Sequence, residues 1–189
     1  MRKPKLIILP GNGVLDFEST NWYGWLKREL IERGFEVVGE TMPDPLLARK
    51  KVWLPQIKDV FGADESTVIV GHSSGAVATL RYLEENRLLG TILIGASYTD
   101  LGDVTEKLSG YYKSPWQWKK IKANAKWRVQ FCSQDDPYIP IEEPRYIRDQ
   151  IKSEYHEYED RGHFGSPFDS LKEFPELLEV IERKLDGKG

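Results

Sequence analysis

Thr67-Val68-Ile69-Val70-Gly71-His72-Ser73-Ser74-Gly75-Ala76-Val77-Ala78 decides how this chain folds. Four β-prone residues, three of them β-branched aliphatics, run straight into Gly71. After Gly75 come small residues and then Leu80, Tyr82 and Leu83, the pattern of a helix packed on a sheet. The stretch therefore reads as a buried strand, a sharp turn and a helix over residues 74–86. The turn has the form G-x-S-x-G with Ser73 at its centre, the sequence form of a nucleophile elbow. A nucleophile there stands above the end of a strand. Gly71 and Gly75 remove the Cβ atoms that would collide with neighbouring backbone. The helix starting at Ser74 aims its first N–H groups at the place where negative charge would develop. A Gly/Ser-rich phosphate cradle is the competing reading of this turn.

The flanking sequence repeats the strand-then-helix theme. Lys5-Leu6-Ile7-Ile8-Leu9 is a short continuous apolar run, expected for a central parallel strand buried on both faces. Residues 21–31 read as a helix ended by Gly34, and residues 35–38 as a second strand. A helix is expected over residues 46–58, disturbed by Pro55. Further strands are expected at residues 91–96, 127–132 and 154–159, the last more polar and so nearer an edge. Residues 98–113 read as a long loop. Helices are expected over residues 116–123, 144–151 and 173–185. Strands alternating with helices imply a parallel sheet covered on both faces. Its functional rim lies beyond the carboxyl ends of the strands. With no internal repeat and no linker, residues 1–189 read as one domain.

Bulk properties narrow the function classes. A chain of 189 residues is long enough to bury about 70% of its unfolded surface. A net charge of −3 gives no steering toward nucleic acid or anionic membrane, so neither partner is expected. The apolar run at residues 6–9 is too short for a membrane span or signal peptide. Cys132 is the only cysteine, so no intramolecular disulfide forms, as suits a cytosolic or nuclear protein. Three scattered histidines and one cysteine give no metal-ligand spacing, and no metal or other cofactor is expected.

Ser73 needs a base and an orienting acid, in the chain order Ser, acid, His. His72 lies inside the elbow and His156 inside the sixth strand. His163 follows that strand in Asp160-Arg161-Gly162-His163-Phe164, at the right end of the sheet, and is the expected base. The acid should follow the fifth strand, where Asp135 and Asp136 are adjacent. Asp136, which precedes Pro-x-x-Pro, is preferred; Asp135 is expected to cap the turn through its own backbone. Pro10-Gly11-Asn12-Gly13 follows the first strand and supplies flexible backbone. The Asn12 and Ser74 N–H groups are the expected oxyanion donors. A simple tight turn remains the other reading of that loop; a dinucleotide site lacks the G-x-G-x-x-G spacing. Trp22, Tyr98, Trp116 and Trp118 are expected either to wall the pocket or to pack in the core.

Several further stretches carry a family resemblance: Trp22-Tyr23-Gly24-Trp25, Met42-Pro43-Asp44-Pro45, Trp53-Leu54-Pro55, Asp100-Leu101-Gly102-Asp103 and Pro115-Trp116-Gln117-Trp118. Together with Pro10-Gly11-Asn12-Gly13, the elbow, Asp135-Asp136-Pro137 and Gly162-His163-Phe164, they span about residues 6–164. The chain resembles the retinoblastoma-binding protein nine family of small α/β-hydrolase-fold serine hydrolases. That resemblance implies a triad of Ser73, Asp136 and His163, and a six-stranded sheet of order 2-1-3-4-5-6. It implies hydrolysis of a small-molecule carboxylic ester or amide through an acyl-enzyme. The alternative is an inert hydrolase-fold binding module. One departure matters: the L-x-C-x-E motif for retinoblastoma protein corresponds here to Phe61-Gly62-Ala63-Asp64-Glu65, which lacks both Leu and Cys, so that partner is not implied. Cys132 stands where many hydrolases have Gly.

Overall fold

The computed structural model describes residues 3–165 and 170–186; residues 1–2, 166–169 and 187–189 of the expected domain lie outside them. Six parallel strands form one sheet in the order β2-β1-β3-β4-β5-β6. They are β1 (Lys5–Leu9), β2 (Glu36–Val38), β3 (Val68–His72), β4 (Leu88–Ile94), β5 (Ala125–Ser133) and β6 (Glu154–Tyr158). The helices are α1 (Tyr23–Glu32), α2 (Lys50–Pro55), α3 (Ser74–Tyr82), α4 (Val104–Ser109), α5 (Trp118–Ala123), α6 (Glu142–Ile151) and α7 (Pro175–Leu185). Among the described residues no helix is long and apolar enough to cross a membrane.

The continuous apolar runs are explained by two cores, one on each face of the sheet. Alternate residues of a strand face opposite ways. Ile7, Leu9 and Ile69 thus join Trp53, Leu80, Ile121 and Ile147 from α2, α3, α5 and α6. Leu6, Ile8, Val68 and Val70 join Leu26, Leu30, Leu177 and Ile181 from α1 and α7. The central strands β1 and β3 are buried on both faces, whereas β2 and β6 at the edges are mostly half-buried.

Two segments differ from the sequence expectation. The helix expected over residues 46–58 begins only at Lys50. Before it, the Asp44 carboxylate holds the Arg49 backbone N–H and guanidinium in a turn. Pro55 has no N–H to continue the α-helical ladder, and the chain widens into a π-helical turn over Gln56–Val60. The expected loop at residues 98–113 contains α4 and a 3₁₀ turn, Tyr111–Lys113. Asp103 caps α4 by accepting from the Glu106 N–H, and Gly110 closes it at a φ of 85°. The pair Asp103 and Glu106 at cap and third position was the sequence signal for this helix.

Candidate active site

Ser73 sits between β3 and α3 with φ 54° and ψ −121°, a conformation that costs a non-glycine residue roughly 1–3 kcal/mol. Its surroundings hold it there. The Ser73 N–H donates to the Ile94 carbonyl of β4, and the Ser73 carbonyl accepts from Ala76 and Val77. A Cβ on Gly71 would stand 2.5 Å from the Gly75 carbonyl oxygen, and one on Gly75 would stand 2.5 Å from the Leu9 carbonyl oxygen. Only glycines allow the elbow to fold this tightly against β1.

The turn after β1 lies against Ser73: a Cβ on Gly11 would come within 3.1 Å of the Ser73 Cβ. Gly11 N–H donates to the Tyr23 hydroxyl at 3.3 Å and Gly13 N–H to the Pro45 carbonyl at 2.7 Å. The Asn12 N–H between them takes no partner among the described residues, nor does that of Ser74 at the start of α3. Asn12 and Ser74 line the same cavity as Ser73.

The two aspartates after β5 divide the work. Asp136 accepts from the N–H groups of Tyr138 and Ile139 with one oxygen. Its other oxygen lies 2.7 Å from His163 Nδ1, and both side chains are nearly enclosed, at 2% and 8% exposure. A carboxylate only accepts, so His163 Nδ1 donates to Asp136 and Nε2 is the ring nitrogen left for Ser73. Asp135 meets its own backbone N–H, as expected, and does more besides. It accepts from the Ser133 hydroxyl at 2.6 Å and, across the gap to the β6 turn, from the Gly162 N–H at 2.8 Å. Ser133 in turn accepts from the Arg161 N–H. These bonds tie the Asp136 turn to the His163 turn, and the first of them holds the Asp135 carboxyl below the usual range.

Ser73 and His163 line one cavity of about 780 Å³. They make no direct hydrogen bond in this structure, a looseness common before substrate binds. Gly95 at the end of β4 was not foreseen from sequence, and it makes the arrangement possible. A Cβ there would meet His163 Cε1 at 2.9 Å and Nδ1 at 3.1 Å. A second hollow of about 830 Å³ lies at the opposite, amino-terminal end of the sheet, among Lys5, Glu36, Asp64 and Arg87, and holds none of the candidate groups.

None of the four aromatics proposed as pocket walls lines the cavity beside Ser73. Trp22 is fully buried; its indole N–H donates to the Phe164 carbonyl and its ring packs on Tyr23 and Phe174. It sits at the N-cap of α1 and packs in the core with Leu26, Leu30 and Phe174. Tyr98 stacks on Tyr146 of α6, Trp118 meets both edge-on and stacks with Trp116, and the Trp116 indole donates to the Tyr98 carbonyl. The cavity walls come instead from Val77, Leu101, Tyr112, Tyr138 and Ile139. Asp16, Asp103 and Glu106 also line it, and no Lys or Arg does among the described residues. Burial raises the Glu106 carboxyl above its ordinary range, partly offset by the Tyr112 hydroxyl donating to it. His156 lies elsewhere, stacked on Phe131 and paired with Glu154.

Comparison with known proteins gives the family and the fold. Residues 6–183 match the family model described as serine hydrolase. Serine hydrolase RBBP9 of Rattus norvegicus is 42% identical over 182 residues, 96% of this chain and 95% of that protein. YdeN of Bacillus subtilis is 31% identical over 77% of this chain and 80% of its own length. The crystal structure of the ydeN gene product superposes with a TM-score of 0.86 at 26% identity, covering 97% of this chain and 99% of that one. A carboxylesterase of Nitrososphaera gargenis, at 12% identity, shares the fold with a TM-score of 0.70, covering 98% of this chain and 90% of its own.

Proposed function

The chain belongs to the serine hydrolase family, and from that premise we propose that it cleaves a carboxylic ester or amide with Ser73, His163 and Asp136 as its triad. One observation carries the reading. His163 is held by Asp136 at 2.7 Å, on the same cavity that the strained Ser73 enters. His163 Nε2 takes the Ser73 proton while the Ser73 oxygen attacks the carbonyl carbon. The oxyanion rests on the Asn12 and Ser74 N–H groups, each worth roughly 10²–10³ in rate. Collapse expels the alcohol or amine, which leaves with the proton from His163. Water then adds to the acyl-enzyme with His163 again as base, and the acid departs. Asp136 keeps the Nδ1 tautomer and stabilises the imidazolium throughout. The apolar walls Val77, Leu101 and Ile139 favour an uncharged acyl group, and the buried thiol of Cys132 suits a cytoplasmic enzyme.

The test is fluorophosphonate labelling of the wild type beside Ser73→Ala, with short-chain p-nitrophenyl ester turnover in parallel. Labelling and turnover should vanish together in the variant. A folded wild type that takes no label and turns over no ester would mean a binding module instead.

A further inference from the structure

Beneath Ser73 runs a buried chain of three hydrogen bonds that the proposed chemistry does not use directly. Gly11 N–H lies 3.3 Å from the Tyr23 hydroxyl, that hydroxyl lies 2.5 Å from His72 Nδ1, and His72 Nε2 lies 2.7 Å from the His163 carbonyl oxygen. Both side chains are almost wholly enclosed. The direction of every bond is fixed by elementary bookkeeping. A carbonyl only accepts, so His72 Nε2 carries the proton. Burial, and then the neighbouring His163, push the His72 pKa down to about 3, so the ring is neutral and Nδ1 is bare. The Tyr23 hydroxyl must therefore donate to Nδ1, which leaves its oxygen to accept from Gly11. Burial raises the Tyr23 pKa to about 12, so the hydroxyl keeps its proton.

The ends of the chain are what matter. One end is the peptide next to Asn12, the proposed oxyanion donor. The other is the backbone of His163, the proposed base. Between them stands the residue preceding Ser73. The next carbonyl, that of Phe164, is held separately by the Trp22 indole. Trp22 and Tyr23 are neighbours at the start of α1, so one helix end holds the His163 loop directly through Trp22, again through His72, and the Gly11 loop once.

We propose that Tyr23 and His72 are positioning residues that set the oxyanion turn and the His163 loop against each other across Ser73. Both reach the wall of the cavity, but neither side chain hydrogen-bonds Ser73. Their work is to hold two loops from different strands in the geometry that the transition state needs, where displacements of about 1 Å can cost 10² in rate. The inference rests on the triad reading above.

Tyr23→Phe tests it, because it deletes one buried oxygen and keeps the ring packed on Phe17 and Trp22. His72→Gln is the second variant, and the double variant completes a cycle. Each is assayed for p-nitrophenyl ester turnover well below its own melting temperature, beside wild type and Ser73→Ala. The expected result is a fall in kcat of roughly 10–100-fold in each single variant, KM within about twofold, and a double variant little worse than the worse single. A lowered melting temperature with kcat unchanged would overturn the inference, since the pair would then serve stability alone. So would losses that multiply in the double variant or appear in KM. If Ser73→Ala keeps wild-type turnover, it is the triad reading that fails.

Discussion

Gly95 and His163 are in direct contact, the α-carbon of one facing the imidazole edge of the other. An added methyl would meet the ring at 2.9 Å, and Gly95 also holds a φ of 56° that side chains rarely adopt. A small residue at the end of β4 is thus a condition for His163 to lie on Asp136. Gly95→Ala is expected to lower kcat by about 10²-fold or more, by tilting the ring away from Asp136 and Ser73. Kinetics on the folded variant check this; turnover within threefold of wild type would mean that the contact yields without cost.

Asp135 and Asp136 separate by what each holds. Asp136 orients the imidazole, so Asp136→Asn should lower turnover by roughly 10³–10⁴-fold with the melting temperature little changed. Asp135 ties its turn to Gly162, so Asp135→Asn should cost far less activity and show a greater loss of order in the two turns. Paired kinetics and amide hydrogen exchange decide the matter. The reverse ranking in activity would hand the orienting role to Asp135.

His72 also makes a prediction for stability. Its folded pKa, about 3, lies below the unfolded value of 6.5, so between those limits the unfolded chain binds the extra proton. Stability is then full above about pH 6.5 and falls as pH drops, at up to about 1.4 kcal/mol per pH unit, or about 2 kcal/mol by pH 5. Glu154 and Glu157, lowered to about 2 by their Lys184, Arg183 and Arg145 partners, lose their contributions only below about pH 4.5. Urea melts at pH 7 and pH 5 should show the loss, and His72→Gln should remove most of it. An equal loss in the variant would assign the effect elsewhere.

The parts of the molecule that were legible in sequence share a physical cause. The β1 and β3 runs must be apolar throughout because helices cover both faces, and such runs have few other uses. The elbow was legible because only a narrow set of residues survives its geometry. Trp22 was not legible as core, since a large aromatic ring suits a pocket wall and a protein interior equally. Its place depends on the turn of α1, which no local pattern states. Gly95 was invisible for a related reason: what it makes room for comes from residues 136 and 163, far along the chain. The α4 helix is signalled by its capping pair, but Gly102 and Gly110 on either side are equally typical of a loop.

The cavity carries a last consequence in its charge. Asp16, Asp103 and Glu106 face it, and among the described residues no Lys or Arg does. Glu106 is half-buried, where the effective dielectric is well below that of water and charges act more strongly. A substrate bringing its own carboxylate therefore meets repulsion that a neutral one of equal size escapes. Matched p-nitrophenyl esters, one with a neutral acyl chain and one ending in a carboxylate, should differ by roughly tenfold or more in kcat/KM, since about 1.4 kcal/mol suffices for a factor of ten. Glu106→Gln should narrow the gap several-fold by removing one charge while keeping a polar group beside Tyr112. Added salt should narrow it less, because screening reaches a half-buried carboxylate poorly. Equal rates on the two esters would mean that the acyl chain never approaches these carboxylates. The leaving-group side would then be the one that faces α4.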